Sequence, residues 1–182
     1  MDVASNRTIA SRQSLVTAEA QLRRLFDQCH DSMMRYALRR AGTDEAAEVV
    51  AETFLIAWRK LDQIPTDGLE RAWLIGVARR VLANRRRSNA RAQRLVEVIG
   101  YQIQVAAPSA DVSIEGGDVR AALARLSAKD CELLTLVAWD GLTPAEIATA
   151  LGKSSATVRS RLHKARLRLR AELERGGIKG WE

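Results

Sequence analysis

The chain has 182 residues, 47% of them hydrophobic and 28% charged, with a net charge of +7 at pH 7. That is enough apolar material for one large core or two small ones, and the positive excess favours a nucleic-acid or acidic-protein partner. No run of about 18 apolar residues occurs and the first twenty residues lack a signal-peptide core, so membrane insertion and secretion are not expected.

Cys29 and Cys131 are isolated from each other and from any histidine at metal-binding spacing. Both are expected to act as small buried hydrophobes in a reducing cytoplasm, with no metal, no cofactor and no catalytic residue in the chain.

In chain order, residues 1–17 are polar and irregular and are expected to form a flexible extension. From Ala18 to Ala41, Leu22, Leu25, Phe26, Cys29, Met33, Tyr36 and Ala37 recur at helical spacing, and Gly42 stops the pattern. A second helix is predicted from Thr43 or Asp44 to about Leu61. Its core face is Ala46, Ala47, Val50, Phe54, Ala57, Trp58 and Leu61. Its outer face carries an acidic stripe of Asp44, Glu45, Glu48 and Glu52, rimmed by Val49, Leu55 and Ile56, which remain partly exposed in a simple three-helix bundle. An acidic stripe with an apolar rim suits a protein-binding surface, although periodicity alone fits a solvated face as well.

Ile64 to Gly68 (IPTDG) reads as a loop, and a third helix runs from Leu69 to about Gln93. Trp73, Leu74, Val77, Ala78, Val81 and Leu82 supply its packing. Arg79, Arg80, Asn84, Arg87, Arg91 and Arg94 fall on one face spanning roughly 140° of arc, away from the apolar side. Aligned like charges repel unless a polyanion neutralises them, and Asn84 can offer both a donor and an acceptor to a base edge. The alternative is a merely hydrated arginine face.

Residues 96–118, with Pro108, Ser109, Gly116 and Gly117, lack a sustained period and read as a flexible linker. The expected architecture is therefore all-α: a helical bundle over residues 18–95, a linker over 96–118, a second helical domain over 119–175 and a short tail over 176–182.

The second domain ends in Gly141 to Leu169 (GLTPAEIATALGKSSATVRSRLHKARLRL). Thr143 is placed to cap a helix, with Pro144 at its first position and Glu146 completing a capping box. Gly152 stops that helix and Ser154 caps the next. This pattern is a helix-turn-helix, whose second helix lies in the DNA major groove. Val158, Leu162, Ala165, Leu169 and Leu173 form its buried stripe. Ala156, Arg159, Ser160, His163 and Lys164 lie opposite, and Arg161, Arg166, Arg168 and Arg170 extend the positive field along the flanks. A solvated basic helix with no ligand is the competing reading.

Two stretches resemble a known family. Ala46 to Trp58 (AAEVVAETFLIAW) is similar to the core-polymerase-binding helix of bacterial extracytoplasmic-function (ECF) sigma factors. Arg71 to Asn84 (RAWLIGVARRVLAN) resembles the following part of their region two, and Gly152 to Arg166 (GKSSATVRSRLHKAR) resembles their region four. The resemblance runs from about Leu22 to Leu173, with both domains in the family's order. It implies docking on the β and β′ subunits of core RNA polymerase through Glu45, Glu48, Val49, Glu52, Phe54, Leu55 and Ile56. It implies that the loop, including Asp67, together with Arg79, Arg80, Asn84, Arg87 and Arg91, recognises and melts the −10 element and holds single-stranded bases. It further implies that Ser155, Thr157, Arg159, Ser160, His163 and Lys164 read the duplex −35 element.

An anti-sigma factor is a candidate partner on the same ground, and the location is cytoplasmic, on the nucleoid when bound to polymerase. The sequence departs from the family pattern at Ala47 and Ala51, where a Glu and a Gln are common, and at Arg79-Arg80, where Arg-Asn is usual. The rival readings are a stand-alone helix-turn-helix transcriptional regulator dimerising through its N-terminal bundle, a nuclease, and an anti-sigma or adaptor protein that only binds polymerase. A nuclease needs converging carboxylates or a His/Lys dyad near a phosphate, whereas the acidic residues here line a helix facing outward and separate from the basic face.

Overall fold

A computed structural model describes residues 3–99 and 117–176. All regular structure among them is helical: α1 (Val3–Arg59), a 3₁₀ turn (Leu61–Gln63), α2 (Glu70–Ile99), α3 (Gly117–Arg125), α4 (Ala128–Ala138), α5 (Pro144–Leu151) and α6 (Ser155–Arg175). The chain divides into two compact units, before and after Ala110. Among the described residues no helix is long and apolar enough to cross a membrane.

In the first unit α1 is two limbs broken at Gly42, which adopts φ 74° and ψ −179°. A side chain there would meet the left-handed steric penalty, so glycine permits the chain to double back. The limbs pack on each other, Phe26 meeting Phe54 with ring centroids 4.9 Å apart, and α2 packs against α1. Met33, Tyr36 and Ala37 from the first limb, Val49, Val50, Thr53 and Ala57 from the second, and Leu74, Ile75, Val77, Ala78 and Val81 from α2 are buried together. The buried Thr53 hydroxyl is satisfied by donating to the Val49 carbonyl at 2.7 Å. Cys29 is buried, which pushes its thiol up in pKa, helped by the nearby Glu70 carboxylate; Cys131 is half-buried, and neither forms a disulfide.

Three helix limits differ from the sequence expectation. Helix begins at Val3, so residues 3–17 are not irregular; no Gly or Pro interrupts them, and propagation from a packed helix needs no new nucleus. For the same reason α2 continues past Gln93 to Ile99, just before Gly100, which takes its last residues out of the expected linker. The rest of that linker, apart from its last two residues at the start of α3, and the tail beyond Gly176 lie outside the described residues.

The second unit packs α3, α4 and α5 on α6. Thr143 and Glu146 form a reciprocal capping box with Pro144 in the first turn. Gly152 then takes φ 60° and ψ 44°, and the Lys153 amide donates to the Ala148 carbonyl at 2.9 Å, closing α5. Two residues later the Ser154 hydroxyl accepts from the Thr157 amide at 3.2 Å and starts α6. These signals in immediate succession produce a tight corner. Ile147, Val158, Leu162 and Ala165 fill the angle between the two helices.

Candidate docking and nucleic-acid interfaces

The second limb of α1 is covered on two sides, and this corrects its expected faces. Val49 is 0% exposed and Phe54 6% exposed, so neither presents a surface to a partner; they position the limb instead. Ala47, expected in the core, is exposed, as is Ala51. The buried set Ala46, Val49, Val50, Thr53, Phe54 and Ala57 follows three- and four-residue steps, rotated from the expected stripe because α2 seals a flank left open on periodicity alone. Asp44 and Glu48 remain exposed, Glu45, Glu52 and Ile56 are half-buried, and Leu55 is 48% exposed. The ridge therefore keeps its carboxylates and an apolar edge.

Nor does the acidic face stand apart from the arginines of α2. Arg85 Nη1 lies 2.8 Å from Glu48 Oε2, and Arg85 Nε and Nη2 each lie 3.3 Å from Glu52 Oε2. The hydrogen bond to Glu48, before all else, holds the Arg85 guanidinium above its ordinary pKa. Sequence reading missed Arg85 because it sits inside the run Arg85-Arg86-Arg87. At 100° per residue the three point in different directions. Arg86 Nη2 donates to the Arg40 carbonyl at 3.2 Å, next to the break in α1, and Arg87 donates to Asn84 Oδ1 on the outer face.

That outer face is accessible. Arg80, Asn84, Arg87 and Arg91 are exposed and Arg79 is half-buried; the Arg94 side chain lies outside the described set. Ahead of α2, Ile64 is buried and anchors the loop, while Thr66, Asp67 and Gly68 are exposed. Gly68 has φ 84°, a conformation that aims the chain back into α2. Between this loop and the first limb lies a cavity of about 230 Å³, walled by Gln21, Arg24 and Gln28 on one side and Pro65, Thr66 and Glu70 on the other. Its α1 wall had no sequence signal, since those polar residues look like ordinary helix surface.

On α6, Arg159, Ser160, His163 and Lys164 are exposed on the side opposite Val158 and Leu162. Ser155 and Thr157 are half-buried in the first turn, where Ser155 Oγ accepts from Arg159 Nη1 at 3.0 Å. Four of the six expected recognition residues are thus accessible, and Ser155 and Thr157 are partly so.

Residues 25–92 match the family Sigma-70 region 2, and residues 117–169 match Sigma-70, region 4. ECF RNA polymerase sigma factor SigL of Mycobacterium tuberculosis is 36% identical over 170 residues, covering 88% of this chain and 94% of its own. The chain belongs to the ECF sigma factors. RNA polymerase sigma-E factor of Streptomyces avermitilis is 36% identical over 149 residues, covering 79% of this chain and 80% of that one.

This ECF sigma factor is also similar in structure to the sigma factor RpoE of Bartonella quintana, solved in complex with the anti-sigma factor NepR. The TM-score is 0.51 and the identity 25%, covering 91% and 97% of the two chains. CnrH, solved with the cytosolic domain of CnrY, shares the fold at a TM-score of 0.56 and 24% identity, with coverage of 87% and 96%. Sigma factors bind core RNA polymerase and promoter DNA to initiate transcription and are not enzymes.

One of the sigma factor's flanking arginines is occupied within its own unit. Arg168 Nη1 lies 2.6 Å from Asp130 Oδ2, which also accepts from the Ser127 hydroxyl at 2.9 Å. Burial pushes the Asp130 carboxyl up, but the Ser127 and Arg168 hydrogen bonds outweigh it and hold the pKa below the ordinary value. A carboxylate depressed in the folded state stabilises above its unfolded pKa of about 3.9, and that contribution is lost as pH falls through the folded value. Acidification below about pH 4 is expected to cost this unit about 1 kcal/mol at this site, a modest figure because Arg168 is 60% exposed. Thermal melts between pH 6 and 3 check it: Asp130→Asn should flatten the acid decline, and an unchanged decline would assign it elsewhere.

Proposed function

We propose that the first unit docks on the β and β′ subunits of core polymerase through Glu45, Glu48, Glu52, Leu55 and Ile56, and handles the −10 element with Asp67, Arg79, Arg80, Asn84, Arg87 and Arg91. The exposed acidic and apolar ridge supports the docking reading. The exposed arginine face of α2 supports contact with phosphates, and the polar cavity between the loop and the first limb supports contact with unstacked bases, whose extrusion costs a few kcal/mol. The second unit reads the duplex −35 element through Ser155, Thr157, Arg159, Ser160, His163 and Lys164, supported by the exposure of the last four on α6. The factor works in the cytoplasm, on the nucleoid when bound to polymerase. An anti-sigma factor is a candidate regulator, because RpoE of Bartonella quintana was solved with one.

The observation that carries this reading is the placement of an acidic ridge and a basic helix on one three-helix unit, in a chain whose other unit is a complete helix-turn-helix. A stand-alone regulator needs only the latter. Gel shifts and run-off transcription on genomic fragments, with and without purified core enzyme, separate the two. The sigma reading expects specific binding and defined transcripts only with core; tight specific binding by the protein alone and no core-dependent transcript would favour the regulator.

A further inference from the structure

We infer that Arg85 is a positioning residue for polymerase docking: it holds the Glu48 and Glu52 carboxylates side by side as one prearranged acceptor. The inference deepens the docking reading and rests on it. Three features carry it. The guanidinium spans both carboxylates, and it reaches them from a different helix, across 33 and 37 residues of sequence. Each carboxylate gives Arg85 only its Oε2, so Oε1 of each has no hydrogen-bond partner among the described residues. The exposures are graded outward, with side chains 27% exposed at Arg85, 40% at Glu52 and 68% at Glu48, so the arginine lies behind the acids rather than over them.

Without Arg85 this pair is poorly disposed to bind anything. Glu48 and Glu52 are four residues apart on one helix, where like charges repel, and each flexible side chain must be frozen when a cation docks. A fork-shaped guanidinium between them removes the repulsion and fixes both rotamers before the encounter, which a point-charge ammonium does less well. The oxygens that Arg85 does not use are then available to a partner's Lys or Arg without the internal bridge being broken. The price is that Arg85 is withdrawn from the DNA-facing set on α2.

The test uses the full-length chain and purified core polymerase. Arg85→Gln is expected to weaken core binding about 10-fold, or about 1.4 kcal/mol, while the melting temperature falls by no more than a few degrees and the affinity of the saturated holoenzyme for −10 fork DNA stays unchanged. Arg85→Lys should recover part of the loss. In a Glu48→Gln/Glu52→Gln background, Arg85→Gln should have no further effect, because the residue acts only through those two acids.

Parental core affinity for Arg85→Gln would overturn the inference, and so would an equal loss in the carboxamide background. A loss that comes with a fall in melting of much more than a few degrees and is not relieved by lysine would overturn it too, by making the role purely structural. If Glu48→Gln/Glu52→Gln alone leaves core binding intact, the docking reading itself fails and the inference falls with it. If that pair weakens binding and Arg85→Gln does not, only the inference falls.

Discussion

Glu52→Arg in the full chain is expected to weaken core-polymerase binding by at least about 30-fold, equivalent to about 2 kcal/mol, the low end for losing one partner of a close charge pair at an interface. The substitution acts twice. It places a cation where a basic partner surface would meet a carboxylate, and it sets that cation against Arg85, which now bonds Glu52 at 3.3 Å. The bundle should survive, since the face of this limb that packs inward is Val49, Val50, Thr53 and Ala57, all buried and untouched by the change. Losing a half-exposed ion pair costs at most about 1 kcal/mol, a few degrees of melting temperature. Pull-down or fluorescence titration with core enzyme reads the first quantity and thermal melting the second. Unchanged core affinity in a folded variant would remove Glu52 from the docking surface.

The helix-turn-helix of the second unit was legible almost residue by residue, because several independent local signals coincide there. A capping box, a proline at the first helical position, a glycine that must be left-handed and a serine cap leave little room for another backbone path between Thr143 and Thr157. The second limb of α1 was harder for a physical reason. Ala46, Ala47, Val49, Val50 and Ala51 place small apolar residues nearly all round the helix, so its own periodicity allows more than one inward face. The choice was made by α2, whose approach buries Val49 and leaves Ala47 in water, and that information lies more than twenty residues downstream.

Arg85 posed the same problem in sharper form. Three consecutive arginines are equivalent as a sequence, and only the packed helix pair sends one to carboxylates, one to the break in α1 and one outward. Helix ends failed where stop signals were absent, as in the stretch before Gly100 and the one after Val3. The family resemblance supplied the partners, which no periodicity contains.

Arg159→Ala and Lys164→Ala are both expected to lower initiation through the −35 element, and they should do so in different ways. Arg159 lies near the start of α6, where recognition helices touch base edges, and its guanidinium is already turned toward the first turn by the Ser155 hydroxyl. A base-edge contact is worth about 1–3 kcal/mol of discrimination, so Arg159→Ala should lose roughly 5- to 150-fold on the native promoter and relax preference at one position. Lys164 stands more than one turn further along and carries a point charge suited to phosphate. Its loss should weaken all promoters about equally and reduce the salt slope of DNA binding by about one. Holoenzyme binding to a promoter and to single-base −35 variants, over a salt series, resolves the two patterns. Both substitutions leave the buried Val158, Leu162 and Ala165 in place, so a drop in transcription cannot be blamed on the fold if melting is unchanged. Normal transcription from a native promoter by both variants would show that this face of α6 does not read the duplex.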